Sequence, residues 1–451
     1  MAHFDTSGLQ PAADDLAAQG IDVVRLGYAD MIGTDRGRDV LVSRFASTVS
    51  SGVAFCRSVY GTTPRGGVVD IEGGLSAGLP DVVAFPDLDT LRPIPWEPGV
   101  SHCIANVYNP DGSPSAESPR MVLKSVVAKF AELGMTPIVG PELEFYVLEE
   151  NPKSPSGWSR YGEGTGNVYT SGLKGDPENV LLSSLRSLGD YGIEVTAANH
   201  EFCSGQFEIN MWHGPALEAA DRAHRFKTAV KELARMRGKL ATFMAKPFND
   251  EGGSGYHMHF SCWSNDGLTP LFDDPSTEDG LSALARHAIA GILKHAPALT
   301  AVANPTINSF KRFGPDTLAP WLIDWGLDNR SAMIRIPPER GSASRLELRV
   351  GDASANSYLL IAGLLAAAYV GIKHELEPPP GLVGYGYDTS KAEMLPSSLG
   401  EALDALEADE EFSAALGEPF VNAFLVYKRD EIARFNSWIT DWEFAEYTYH
   451  L

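Results

Sequence analysis

Glu142 and Glu144 stand two residues apart in Thr136-Pro137-Ile138-Val139-Gly140-Pro141-Glu142-Leu143-Glu144-Phe145-Tyr146-Val147-Leu148. Side chains alternate faces along a strand, so both carboxylates leave from one face while Val139, Leu143, Phe145 and Val147 share the other. Like charges at that spacing repel unless something positive lies between or beside them. A divalent cation is the natural counter-charge, because hard cations take oxygen ligands. Three later segments repeat the design of one apolar face and one chemical face. Gln206-Phe207-Glu208-Ile209-Asn210 presents Glu208 between two amides. Tyr256-His257-Met258-His259-Phe260-Ser261 presents His257, His259 and Ser261. Arg345-Leu346-Glu347-Leu348-Arg349 presents Arg345, Glu347 and Arg349.

One such strand is accounted for by a solvated edge of a sheet, and a lone histidine in a strand is more often structural than a ligand. Four strands with the same division are not so easily explained. Carboxylates and neutral imidazoles bind Mg²⁺ or Mn²⁺. Guanidinium groups take phosphate or carboxylate bidentately. If the four segments line one concave sheet, cations and arginines converge on one point. Phosphoryl transfer requires that convergence, since charge on the transferred group must be neutralised.

The elements that must position these groups are legible in outline. Ile21–Tyr28 and Asp39–Val42 read as strands, Gly61–Gly78 as a mobile loop, and Asn109-Pro110-Asp111-Gly112-Ser113-Pro114 as a turn cluster. A domain boundary is placed there, giving domains 1–112 and 113–451. Ser118 and Pro119 suit the start of a helix that stops at Gly134. Asp176-Pro177 reads as the start of another, ending at Gly189 to Gly192, with a strand Ile193–Ala197 behind it. Residues 150–175 form a long Gly-, Ser- and Pro-rich loop, of the kind that is often functional in a compact domain. Further helices are expected over 215–237, 279–295 and most of the last hundred residues, with a strand over Ala241–Ala245.

The chain has 451 residues, 44% hydrophobic and 21% charged, enough for a large core. Its formal net charge of -23 argues against nucleic acid or an anionic membrane as partner. Cys56, Cys103, Cys203 and Cys262 form no CxxC pair and read as reduced thiols of a cytoplasmic protein. The apolar run Tyr358–Val370 is too short to span a bilayer and reads as a buried helix.

Ordered motifs across most of the chain resemble the glutamine synthetase family, class I type. They are Gly140-Pro141-Glu142-Leu143-Glu144-Phe145; His200-Glu201 with Gly205-Gln206-Phe207-Glu208-Ile209; Lys246-Pro247-Phe248 with Gly253-Ser254-Gly255-Tyr256-His257-Met258-His259; Asn308-Ser309-Phe310-Lys311-Arg312; Asn329-Arg330-Ser331-Ala332 with Arg335; and Arg345-Leu346-Glu347-Leu348-Arg349. The resemblance implies an α+β fold, with an N-terminal β-grasp domain and a catalytic domain whose curved, largely antiparallel sheet is backed by helices. It implies two or more Mg²⁺ or Mn²⁺ ions, one set of ligands being Glu144, Glu201 and Glu208, the other Glu142, His257 and Glu347. By the same resemblance His259 and Ser261 contact the nucleotide, Arg330, Arg335 and Arg345 hold phosphates, and Arg312, Arg349 and Gly253 meet glutamate. Arg330, Arg312 and Glu144 are then the catalytic candidates. ATP would phosphorylate the γ-carboxylate of glutamate, and an amine would displace the phosphate. Family members form dodecamers of two hexameric rings with the site at a subunit junction.

The chain departs from ammonia-using members at three places. They carry a flap glutamate after the Lys-Arg motif; here the stretch is Arg312-Phe313-Gly314-Pro315-Asp316-Thr317-Leu318-Ala319-Pro320, and Leu318 holds the acid's position. Asp316 is the nearest substitute. Their Asp-Gly-Ser-Ser loop is matched only by Phe55-Cys56-Arg57-Ser58-Val59-Tyr60, which has no acid. Gly252 replaces an asparagine. An ammonium ion needs acids set close around it. With Leu318, Cys56 and Arg57 in their stead, the expected nucleophile is a larger amine, as in ligases that make γ-glutamyl polyamines, ethanolamide or methylamide. Tyr387 lies where regulated members carry a modifiable tyrosine, but its neighbours Gly386 and Thr389 differ and a plain loop tyrosine is expected.

Overall fold

The computed structural model describes residues 4–162 and 166–451; Glu163, Gly164 and Thr165 of the long loop lie outside them. The first sheet is made by β1 (Val23–Ala29), β2 (Asp35–Leu41), β3 (Val53–Cys56), β4 (Asp81–Pro86), β5 (Arg92–Pro93) and β6 (Val100–Tyr108). Its order is β2-β1-β6-β4-β3, with β5 paired to β6. The central pair β1 and β6 runs parallel, and the other pairings are antiparallel, as expected for a β-grasp sheet. The helix Leu9–Ala18 buries Leu9, Ala13 and Leu16 and packs against the short helix Phe45–Val49. Gly61–Gly78 is a run of turns, as its composition dictates.

The second sheet holds the four chemical segments. Its strands are β7 (Met135–Glu150), β8 (Trp158–Arg160), β9 (Val195–His200), β10 (Gln206–Met211), β11 (Gly214–Pro215), β12 (Lys239–Thr242), β13 (Tyr256–Ser264), β14 (Trp325–Leu327), β15 (Ile334–Ile336) and β16 (Leu346–Leu348). The order β14-β15-β16-β13-β7-β10-β9 puts the strand bearing Glu142 and Glu144 between the histidine strand and the Glu208 strand. All pairs but β14–β15 are antiparallel. The apolar faces behave as alternation requires: Val139, Leu143, Phe145 and Val147 are buried, with Phe207, Ile209, Met258 and Phe260. Against that back face pack the helices Pro119–Glu132 and Ala216–Arg235, and on those two packs Ser357–Lys373. The last is buried along nearly its whole length, so its uniform hydrophobicity reflects a core position. Among the described residues no helix is long and apolar enough to cross a membrane.

Polar bonds tie the two sheets together. Asp35 on β2 is bonded by His102 (3.0 Å) and by His224 (3.2 Å) of the helix Ala216–Arg235. Asn356, at the start of the helix Ser357–Lys373, donates to the Asp30 carbonyl at 2.9 Å.

Several element boundaries differ from expectation for identifiable reasons. The helix expected from Asp176 begins at Val180. Asn179 adopts a left-handed conformation, and the Asp176 carboxylate reaches forward to accept from the Val180 and Leu181 amides at 2.8 and 2.9 Å. Asp176 therefore caps the helix from outside it. The strand expected over Ile193–Ala197 runs Val195–His200, and that expected over Ala241–Ala245 runs Lys239–Thr242. The helix expected over 279–295 is Ala283–Lys294, and a second helix, Ala296–Ala303, follows it.

Candidate active site

Strand register builds the site. Glu142 on β7 lies opposite His257 on β13 and Asn210 on β10. Glu144 lies opposite Glu208. On the other flank Glu347 on β16 pairs with both His259 and Arg335. Because register moves side chains in steps of two, these pairings put every one of the groups on one face. Glu201 joins them from just beyond the end of β9. Ser261 follows His259 on the same face, toward the far end of β13.

The acids are held by amides that the apolar/polar pattern put beside them. Gln206 donates to Glu144 Oε2 at 3.0 Å, and the Gly255 amide donates to the same oxygen at 2.8 Å. Asn199 donates to Glu201 at 2.7 Å and Asn210 to Glu208 at 3.0 Å. Gly255 must be glycine: a Cβ there would lie 2.8 Å from His257 Nε2 and 3.2 Å from Glu144 Oε1. Gly253 is equally constrained, since a Cβ would meet the Arg312 stem and the Ala245 carbonyl at 2.6 Å. Gln206 and Asn210 share a strand face with Glu208, so spacing alone singled them out as neighbours. Asn199 carried no such signal, because it lies just outside the motif that begins at His200.

The residues fit divalent cations. Glu142, His259 and Glu347 place ligand atoms within 4.8 Å of one another, and so do Glu142, Glu208 and His257. His257 Nδ1 also lies 3.9 Å from Glu142 and 4.0 Å from Glu347. Glu142 thus faces both sets, while Glu144 and Glu201 border them. Burial holds the His257 imidazole well below its ordinary pKa, aided by the Arg349 charge, so it is neutral and free to ligate. Burial raises Glu201 to about 7, with the Glu144 charge adding to it. Glu208 is pushed up to about 8 by burial and by Glu142, Glu144 and Glu201. Such mutual repulsion is relieved by positive charge placed among the acids. Cations held there would supply charge neutralisation for the phosphates being transferred.

A pH dependence follows. Glu201 and Glu208 are raised from the ordinary 4.5 to about 7 and about 8, so they favour the folded protein when protonated; that contribution declines as pH rises from 4.5 and is gone once they ionise at 7 to 8. Ligation needs their ionised forms. Mn²⁺ affinity, measured by calorimetry, is expected to tighten steadily from pH 6 to 8.5 with proton release. The thermal midpoint of chelator-treated protein is expected to fall over the same range while the gain from Mn²⁺ grows.

The arginines form the positive side. Burial would raise the Glu347 carboxyl, but Arg349 and Arg335, with His259 beside them, outweigh it and hold it well below the usual range. Arg335 bonds Glu347 at 2.7 Å and Asp328 at 2.8 Å; Arg349 also bonds Glu347 and donates to the Arg330 carbonyl at 3.0 Å. Arg345 donates to His259 Nδ1 at 3.2 Å, leaving His259 Nε2 at 3.0 Å from Glu142. Arg312 is buried and donates to the Val350 carbonyl at 3.0 Å. Arg330 is exposed, and its charge reaches Glu201. It also lines a cleft of about 1130 Å³ with Trp325, Asp328 and Pro378-Pro379-Pro380; the carboxylate row is not part of that wall.

The four residues proposed to replace the ammonium cage fall in two places. Asp316 and Leu318 lie on the loop after Arg312, both in left-handed conformations, and Leu318 is exposed. Cys56 and Arg57 lie at the end of β3. Arg57 bonds Glu117 at 2.6 Å and also Asn109, and Cys56 bonds the Leu79 carbonyl. Within one chain, then, Arg57 is engaged away from the carboxylate row.

Comparison with known proteins agrees with this geometry. Residues 116–447 match the model of the glutamine synthetase catalytic domain. A glutamine synthetase of Halobacterium salinarum is 34% identical over 98% of this chain and 97% of its own. One from Thermotoga maritima is 35% identical over 96% and 97%. Among solved structures, GmaS without ligand aligns with a TM-score of 0.84 at 33% identity, over 97% of this chain and 99% of that one. The GmaS complex with ADP aligns with a TM-score of 0.85 at the same identity and coverage. With this sheet, this row of carboxylates and imidazoles and a match along nearly its whole length, the chain belongs to the glutamine synthetase family, whose members are ATP-dependent ligases.

Proposed function

We propose that the protein uses ATP to phosphorylate the γ-carboxylate of glutamate and joins the acyl phosphate to an amine other than ammonia. Leu318 carries the reading: an exposed apolar side chain stands where an ammonia site needs an acid. The GmaS likeness supports a nucleophile other than ammonia. The curated relatives support the other reading, a glutamine synthetase, at nearly the same identity. Identity does not separate the two; Leu318 and the loop that carries it favour the first.

In the proposed reaction Arg312 and Arg349 hold glutamate by its carboxylates, and Gly253 and Gly255 give room for its approach. A γ-carboxylate oxygen attacks the terminal phosphorus of ATP; the new O–P bond forms as the bond to ADP breaks. Glu142, Glu144, Glu201, Glu208, His257 and Glu347 would hold Mg²⁺ or Mn²⁺ beside the phosphates, with Arg330, Arg335 and Arg345 adding positive charge and His259 and Ser261 nearest the nucleotide. The amine nitrogen then attacks the acyl carbon. The C–O bond to phosphate breaks, phosphate leaves, and the nitrogen gives up a proton.

Self-association is part of the proposal. The C-terminal segment exposes Trp438, Ile439, Trp442, Phe444 and Tyr449, more apolar surface than an isolated chain keeps in water. A dodecamer is expected by light scattering, and a monomer would refute it.

The test is a panel of nucleophiles. Phosphate release with ATP, Mg²⁺ or Mn²⁺ and glutamate is measured against ammonia, methylamine, ethanolamine, putrescine and spermine. One of the larger amines is expected to exceed ammonia in kcat/KM by at least about tenfold, an interval of about 1.4 kcal/mol. Ammonia ranking first would refute the reading.

A further inference from the structure

The segment Gly384-Tyr385-Gly386-Tyr387 is fastened to the Asn329-Arg330-Ser331 motif. Asn329 donates to the Gly384 carbonyl at 2.8 Å, and the Gly386 amide donates to Ser331 Oγ at 3.0 Å. Ser331 Oγ in turn donates to Asn329 Oδ1 at 2.6 Å. Position 386 has to be glycine, because a Cβ would lie 2.4 Å from Ser331 Oγ and 2.8 Å from the Ser331 carbonyl oxygen. This close approach sets the two tyrosines against the loop that carries Asp316 and Leu318. Tyr385 donates from its hydroxyl to Asp316 Oδ1 at 2.8 Å. The Tyr385 and Tyr387 rings sit 5.3 Å apart.

The two rings differ in exposure. Tyr385 is 52% exposed and Tyr387 only 8%. Tyr387 turns inward, where the charges of Arg349, Asp316 and Arg312 all reach its hydroxyl. Among the described residues that buried hydroxyl has no partner in hydrogen-bond geometry, although the Leu318 backbone lies beside it and acts on it. A buried hydroxyl left unpaired is costly, and a ligand that bonds it recovers the loss. Tyr387 is therefore not presented to a modifying enzyme; it lies where the glutamate-holding arginines meet the loop that has lost its acid.

We propose that Tyr385, Asp316 and Tyr387 form the amine subsite, and that it takes an aliphatic diamine. This rests on reading the protein as an amine ligase. The Tyr387 hydroxyl bonds the reacting nitrogen. The Asp316 carboxylate, oriented by Tyr385, binds the distal ammonium, with the Tyr385 ring face available to the same cation. The exposed Leu318 side chain supplies an apolar surface for the methylenes between.

Two variants and two length-matched amines test it. In Asp316→Asn, which keeps the left-handed backbone accessible, the KM for putrescine is expected to rise about tenfold, while those for n-butylamine and glutamate change less than twofold. In Tyr387→Phe the KM of both amines is expected to rise about tenfold with that for glutamate unchanged. Calorimetry of putrescine against protein loaded with glutamate and a non-hydrolysable ATP analogue gives a readout free of turnover, and the same losses are expected. Equal effects of Asp316→Asn on putrescine and n-butylamine would overturn the role of Asp316. A raised glutamate KM with unchanged amine KM in Tyr387→Phe would overturn that of Tyr387. If the wild type uses ammonia alone, the amine-ligase reading and the diamine assignment both fail. The Tyr387 arm repeated with ammonia then decides separately whether the nucleophile binds there, an unchanged ammonia KM overturning it.

Discussion

Glu347→Gln is expected to lose both turnover and stability. The carboxylate is 1% exposed and receives Arg335 and Arg349, with His257 Nδ1 4.0 Å away. An amide of the same shape keeps the packing but removes the charge and turns an NH₂ group toward a guanidinium. Two arginines are left with one buried anion fewer, and breaking a buried pair from one side costs about 3 kcal/mol. The thermal midpoint should fall by several degrees. The same change removes an anionic ligand beside both histidines, so kcat/KM should fall by about 10³. A variant that keeps its midpoint, or more than a tenth of its activity, would show that Glu347 is not the anchor described.

Glu144→Gln is expected to lose activity as steeply with the opposite sign in stability. Burial raises the Glu144 carboxyl and outweighs the pull of Gly255, Arg312 and Arg349, with Glu142 adding a little to the rise. Glutamine still accepts from the Gly255 amide and carries no charge to repel Glu142 or Glu208. The thermal midpoint in chelator should therefore hold or rise, while kcat/KM falls by about 10³ because one ligand charge is gone. Two conserved-shape substitutions on one sheet face thus move stability in opposite directions. The difference lies in whether the arginines outweigh the burial of the native carboxylate, as they do at Glu347 and do not at Glu144. A stability loss in Glu144→Gln would contradict the burial cost assigned to that carboxylate.

The period of two made much of the site legible before the fold was known. Glu142 with Glu144, His257 with His259, and Gln206 with Glu208 and Asn210 separated from their apolar partners by alternation alone, and the sheet order then brought those faces together. Alternation carries no information about register, so the pairing of Glu144 with Glu208 and of Glu347 with Arg335 had to come from the sheet. Long-range contacts from loops were invisible for the same reason. Nothing in the spacing of Tyr385, Gly386 and Tyr387 indicates that they lie on Ser331 and face Asp316, nearly seventy residues away in sequence. Tyr387 was expected as a plain loop residue, and its burial against the arginine pair comes from the tertiary fold. Helix starts shifted where a side chain capped from a distance, as Asp176 does.

The central claim is that this sheet face activates the γ-carboxylate of glutamate and that the loop beyond Arg312 selects an amine larger than ammonia. Glutamate labelled with ¹⁸O in its γ-carboxylate, incubated with ATP, Mn²⁺ and equimolar ammonia and putrescine, tests both halves in one mass spectrum. The expected result is phosphate carrying one ¹⁸O and a γ-glutamyl amide of putrescine in excess over glutamine. Unlabelled phosphate would contradict the activation step, and glutamine as the main product would contradict the choice of amine.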